Sequence, residues 1–157
     1  MFILGFVIFL IICIITVVFL GGWIAYFLNI PSLLIILLPL VAVLTATRSF
    51  KVFAGGLKAV MQPQAPLPEE LRGQAASLFR LLSKTTALAA GIGFLICTIN
   101  MLMGLMGIDF SHPEIRSKLA GNIAANLVLP LYALILIAAF FEPVVFNLKK
   151  RRDTTRK

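Results

Sequence analysis

The chain has 157 residues, 61% of them hydrophobic and 13% charged, with a formal net charge of +8. That leaves too little polar surface to dissolve a globular domain. Twelve of the fourteen Lys and Arg fall in two places, Arg48, Lys51, Lys58, Arg72, Arg80 and Lys84 in one connector and Lys149, Lys150, Arg151, Arg152, Arg156 and Lys157 in the C-terminal tail. Four long apolar stretches hold almost no ionisable residue. A run of about 20 apolar residues can cross a bilayer core as a helix, and flanking basic residues mark the cytoplasmic side. The expected fold is an all-α integral membrane protein with four transmembrane helices and both termini cytoplasmic. Residues 1–47 form a first hairpin, 48–84 a cytoplasmic connector, 85–148 a second hairpin and 149–157 a basic tail.

The first stretch runs from about Phe2 to Leu20 and reads as a retained helix, because no basic residue precedes it and Gly21-Gly22-Trp23-Ile24-Ala25 makes a poor cleavage site. Gly21-Gly22 and Asn29-Ile30-Pro31-Ser32 bracket an outer turn, with Trp23 and Tyr26 at headgroup level. Ser32 is expected to open the second span, Pro31 being tolerated in a first helical turn. That span ends near Thr47 and should kink at Pro39. The connector carries an extended segment with Pro63, Pro66 and Pro68, then a helix start at Pro68-Glu69-Glu70. Leu71, Ala75, Leu78 and Leu82 fall on one face of that helix, which should continue into the third span.

In the third span, about Thr85 to Met106, Thr86, Ala90, Gly93, Cys97, Asn100 and Gly104 recur at helical spacing as a stripe of small or weakly polar residues. Such stripes let helices approach closely in lipid. His112 follows in an outer loop and reads as a solvated residue rather than a ligand. The fourth span, about Leu119 to Leu148, contains Asn122, Asn126, Pro130, Tyr132 and Glu142-Pro143.

The segments assigned inside carry twelve basic and four acidic residues, whereas Asp109, Glu114, Arg116 and Lys118 outside sum to zero. A basic patch confined to one membrane face is a topology signal, with attraction to anionic lipid as a secondary effect; it argues against nucleic acid. Cys13 and Cys97 both lie in spans, so neither a disulfide framework nor a metal site is suggested. The spans offer no paired carboxylates and no nucleophile–base set, so no enzyme class and no cofactor is supported. A buried ionisable group in a span marks a proton or substrate path. Glu142 is the one residue near that description, and the reading of it as a snorkelling or Lys-paired carboxylate at the inner end is preferred to a transport role. Asn122 and Asn126 share a face and could bond across helices or line a wet cavity.

Several segments in order resemble the MotA/TolQ/ExbB proton-channel family. Leu20-Gly21-Gly22 followed by Pro31-Ser32-Leu33-Leu34-Ile35-Ile36 is similar to the hairpin opening its MotA branch. Gly93-Phe94-Leu95-Ile96-Cys97-Thr98-Ile99-Asn100-Met101-Leu102 resembles its glycine-threonine-valine run, and Tyr132, Pro143 and Leu148 keep its fourth-span spacing before Lys149-Lys150-Arg151. The resemblance covers about 110 residues in all four spans. It implies a MotA-like ring subunit of an ion-driven stator or proton-channel complex in the bacterial inner membrane. It also implies a homo-oligomer, a pentamer, around a single-span MotB/ExbD-like partner. Gly93, Phe94, Cys97, Thr98, Asn122, Asn126, Leu129 and Pro130 are then the pore-lining candidates.

The departures are specific. The large cytoplasmic domain of family members is reduced here to residues 48–84, and the family's pore-lining threonines fall at Phe94, Leu129 and Pro130, which carry no hydroxyl. The alternative expectation is therefore a structural membrane scaffold that kept the ring and lost conduction.

Overall fold

The computed structural model describes residues 2–19, 27–62, 68–106 and 113–155. The outer turn with Gly21, Gly22, Trp23 and Tyr26, the proline-rich residues 63–67 and the loop holding His112 lie outside them. Every element is helical among the described residues: α1 (Phe2–Phe19), α2 (Ile30–Ala46), α3 (Phe50–Met61), α4 (Glu69–Gly104) and α5 (Pro113–Ile135), then a π-helical segment (Leu136–Phe141) and α6 (Glu142–Thr155). The helix from Glu69 to Gly104 and the one from Pro113 to Lys150 are each long and apolar enough to cross a membrane. The bent pair α2 and α3 could supply a third crossing, and α1 offers a shorter apolar run, Leu4–Phe19.

The helix expected at Glu69-Glu70 and the third apolar stretch are one element. At 36 residues, α4 is about 54 Å long, well beyond a hydrocarbon core of about 30 Å. It starts with Glu69 and Glu70 in its first turn, where the helix dipole favours acids. Every element except α1 packs against it. The chain from α5 through α6 runs back antiparallel along its length, α2 leans on its middle, and α3 crosses its basic end. Helix α1 is peripheral and touches α3 and the π-helical segment.

Helix α2 starts at Ile30, two residues before the expected Ser32. Asn29 caps it, its side chain accepting a hydrogen bond from the Ser32 N–H at 3.3 Å. Pro39 lies inside α2, yet the helix continues to Ala46. A sharp change of direction comes at Thr47–Ser49, where α3 departs at 112°. The Arg48 N–H bonds to the Thr45 carbonyl and the Ser49 N–H to the Leu44 carbonyl, and Arg48 sits at φ 52°. This is a Schellman ending, built on an arginine where glycine is usual.

Helix α3 was not legible as an element in the connector. It buries Gly56, Ala59 and Val60 and leaves Lys51 and Lys58 outside. Gly56 is required at the crossing, since a Cβ there would lie 2.9 Å from both the Ala75 Cβ and the Phe79 ring. Phe79 is fully buried and stacks on Phe53 of α3 at 5.1 Å between ring centroids. It also meets Phe140 and Phe141 of the π-helical segment at 6.3 and 6.2 Å. Leu82, Val144 and Leu148 are buried around it. The best-packed core therefore sits at the basic end of the molecule.

The π-helical segment ends where the Glu142 N–H bonds to the Ile137 carbonyl. Pro143 follows, with no N–H to give and a ring that presses on the carbonyl four residues back. Widening the preceding turn accommodates it, as single π-turns do inside α-helices.

Replacing Arg48 with Gly should relieve the left-handed backbone conformation and raise stability by about 1 kcal/mol. Arg48→Val should lower it, because a β-branched residue is poorly tolerated at positive φ. Thermal unfolding of the purified variants in one detergent checks both signs.

Candidate functional site

The site follows from how α4 and α5 face each other. Along α4, Thr86, Ala90 and Gly93 are buried, Cys97 is half-buried, and Asn100 and Gly104 are exposed. The small-residue stripe is thus consumed by packing in its first half and opens towards the Gly104–Pro113 end of the hairpin.

Gly93 is where three helices meet. A Cβ on it would come within 2.7 Å of the Ile35 Cγ2 of α2 and of the Leu129 Cδ2 of α5. Leu129 is itself buried, at 1% exposure. Two of the pore-lining candidates, Gly93 and Leu129, are therefore spent on contact with each other inside the chain. The resemblance could not reveal this: the stripe shows that Gly93 packs closely against some neighbour, and the resemblance places it on a pore, but neither names Ile35 and Leu129.

The other candidates divide. Phe94 is half-buried and packs against the hydrophobic core, and Pro130 lies half-buried within α5. Cys97 lines an apolar cleft of about 490 Å³ between α2 and α4, together with Ile35, Pro39, Ile92 and Gly93. The Thr98 hydroxyl donates to the Phe94 carbonyl at 2.8 Å, so its proton is engaged within α4. The half-buried Asn126 points its Nδ2 at the Met101 sulfur, 3.9 Å away. Asn122 is exposed and lies one turn nearer the hairpin end. Glu142 is exposed at the start of α6, on the basic side of the π-helical segment and far along the chain from the asparagines.

What emerges is a cleft of about 330 Å³ between α4 and α5 near the hairpin end, where Asn100, Lys118 and Asn122 stand among Met101, Gly104, Leu105, Ile115 and Leu119. Two amides and an ammonium converge there from two helices. Asn100 and Lys118 were missing from the candidates, although Asn100 stands in the stripe one heptad beyond Gly93. Amides can donate and accept, so the cleft can bind water, a backbone carbonyl or a carboxylate. It holds no nucleophile–base pair. Among the described residues no three His, Cys, Asp or Glu cluster as metal ligands, and Cys13 and Cys97 are free thiols.

Tyr132, which the sequence marked only by its spacing, has a defined task. Its hydroxyl donates to the Phe27 carbonyl and accepts from the Asn29 N–H, the latter at 3.0 Å. It ties the start of α2 to α5 by satisfying backbone groups that precede the helix.

Gly93→Ala should destabilise the chain by about 1–3 kcal/mol through overpacking against Ile35 and Leu129. Gly104→Ala should be nearly neutral, as a Cβ there meets nothing within 4 Å. Unfolding of both variants in detergent, followed by circular dichroism, measures the contrast.

No family model matches the chain, and no curated protein matches it.

Proposed function

We propose that the chain is a MotA-like ring subunit of an ion-driven stator or proton-channel type of complex. It would act in the bacterial inner membrane with a single-span partner. The observation that carries this reading is the exposure of Asn100 and Asn122 on helices apolar enough to cross a membrane. An amide facing acyl chains without a hydrogen-bond partner costs roughly 2 kcal/mol or more. Polar residues in spans accordingly face a bundle interior or water. Assembly that turns the α4–α5 hairpin inward, towards neighbouring copies and a central partner helix, removes that cost. The peripheral position of α1 relative to the long α4 and α5–α6 pair agrees with such an arrangement. So does the ordered set of segments that resemble the family.

In this proposal the chain has four spans, with residues 48–84 and the tail inside and residues 21–31 and 107–118 outside, following the charge asymmetry. Cysteine introduced at Ser111 should react with an impermeant thiol reagent added outside intact cells, and cysteine at Gln64 should not. The reverse labelling overturns the topology and the ring reading together. The endogenous Cys13 and Cys97 are changed to Ser as background.

A non-conducting scaffold is the second reading, favoured by one set of residues. Phe94, Leu129 and Pro130 stand where the resemblance places hydroxyl-bearing pore residues; Leu129 is buried within the chain, and an apolar constriction at the half-buried Phe94 and Pro130 would gate by dewetting. The experiment that separates the readings is proton and sodium flux into liposomes holding the purified chain, with and without a candidate single-span partner. Negligible flux alone and rapid flux with the partner is the expected result. No flux in either case selects the scaffold, and rapid flux from the chain alone, insensitive to change at Phe94, overturns the assignment of those residues. Native mass measurement of the wild-type chain in mild detergent should give a closed oligomer, and a monomer would refute the ring.

A further inference from the structure

At the basic end, α4 and α6 leave a recess of about 160 Å³ between them, lined by Arg72, Ala76, Ser77, Arg80, Leu148 and Lys149. Three cations and a hydroxyl line it, and no carboxylate does. Its floor is apolar, with Leu148 buried at 1% exposure and Ala76 half-buried. Arg80 and Lys149 are both exposed and come from antiparallel helices. Helical side chains lean towards their own N-terminus, so Arg80 leans away from the apolar stretch of α4 while Lys149 leans towards it, and the two converge. Glu69 lies one turn before Arg72 and offsets part of its charge, and Asp153 lies one turn beyond Lys149. No acidic residue lies within four positions of Arg80, so it is the principal cation of the site, with Lys149 facing it from α6.

Depth adds an independent argument. Arg80 is five residues before Thr85, where the apolar stretch begins, which is about 7–8 Å along the helix axis. In the topology proposed above, on which this inference rests, that is the level of lipid headgroups rather than of acyl chains or bulk solvent. Arg72 lies two turns further, so the recess runs from the membrane surface outward from the bilayer.

We propose that this recess is a phosphate site and that it takes the headgroup of an anionic phospholipid. The guanidinium of Arg80 suits a phosphate in two-point contact, Lys149 supplies a second charge, and the Ser77 hydroxyl can donate to a remaining oxygen. Basic pockets between helices at a membrane surface recognise such headgroups. The site differs from the general attraction of a basic face because it depends on two particular cations rather than on the total.

The test uses the full-length chain released from mixed micelles of phosphatidylglycerol and phosphatidylcholine, with retained lipid counted by native mass measurement. Wild type should retain phosphatidylglycerol in preference to phosphatidylcholine. The Arg80→Gln/Lys149→Gln double variant should lose that retention on the order of ten-fold. Lys51→Gln/Lys58→Gln removes the same charge from α3 and should leave retention unchanged. Equal losses in the two double variants, or no preference in wild type, overturn the proposal. Arg80→Lys/Lys149→Arg keeps the charge and should retain lipid; together with matching thermal unfolding of all variants, it separates loss of the site from loss of the fold. A parallel arm titrates inorganic phosphate. Failure of phosphate to displace the lipid supports the headgroup as occupant, and full displacement overturns it in favour of free phosphate at the same recess.

Discussion

Phe79 is the residue on which the arrangement of the basic end turns. It has no accessible surface, and its ring is held by Phe53 on one side and by Phe140 and Phe141 on the other, with Gly56 admitting it at the crossing of α3. A buried aromatic of this kind is worth about 3–5 kcal/mol against alanine. Here it also fixes geometry. α3 can leave α2 at 112° and still return to α4 only because Gly56 lets the two helix backbones close on that ring. Without it, α3 would be an amphipathic helix without a seat.

Two kinds of force hold the two ends of the molecule. Around Phe79 and Leu82, on the part of α4 that precedes its apolar stretch, the burial of apolar surface from water is available as a driving force. Along the apolar length of α4 and α5 it is not, because acyl chains are as apolar as leucine. There, shape decides, and the closest approach is the one at Gly93 between Ile35 and Leu129. The extended exposure of Leu88, Ile92, Leu95 and Ile99 on α4 is consistent with that division, since a span has no need to hide such side chains. Tyr132 then supplies what shape cannot, by pairing backbone groups at the start of α2 that would otherwise face a poor solvent for them.

The sequence carried the long helices well because hydropathy, the stripe from Thr86 to Gly104 and the acidic start at Glu69-Glu70 are local signals that agree with one another. It carried α3 poorly. Gly55-Gly56 lowers helix propensity, and the reason for Gly56 lies in Phe79, more than twenty residues away. The end of α2 near Thr47 was legible, but its left-handed turn at Arg48 was not, since nothing in the residue type announces that conformation. For the site, the pattern showed which residues share a face but not which neighbour takes that face. Gly93 and Leu129 went to intrachain packing, while Asn100, marked only as a member of the stripe, and Lys118, marked only by its charge, joined Asn122 in an open cleft.

The π-helical segment at Leu136–Phe141 has a bearing on how the last long helix is to be compared with any other sequence. A turn closed by i→i+5 bonds holds about one residue more than an α-turn, so everything after it is rotated by roughly 100° about the axis relative to an uninterrupted helix. Tyr132 and Leu148 therefore belong to two different angular frames although one helix carries both. A heptad or a facing stripe counted across residues 136–141 changes phase there. The segment works as a fixed rotational offset, aiming α5 by one rule of spacing and α6, with Val144, Val145 and Leu148 turned into the core, by another.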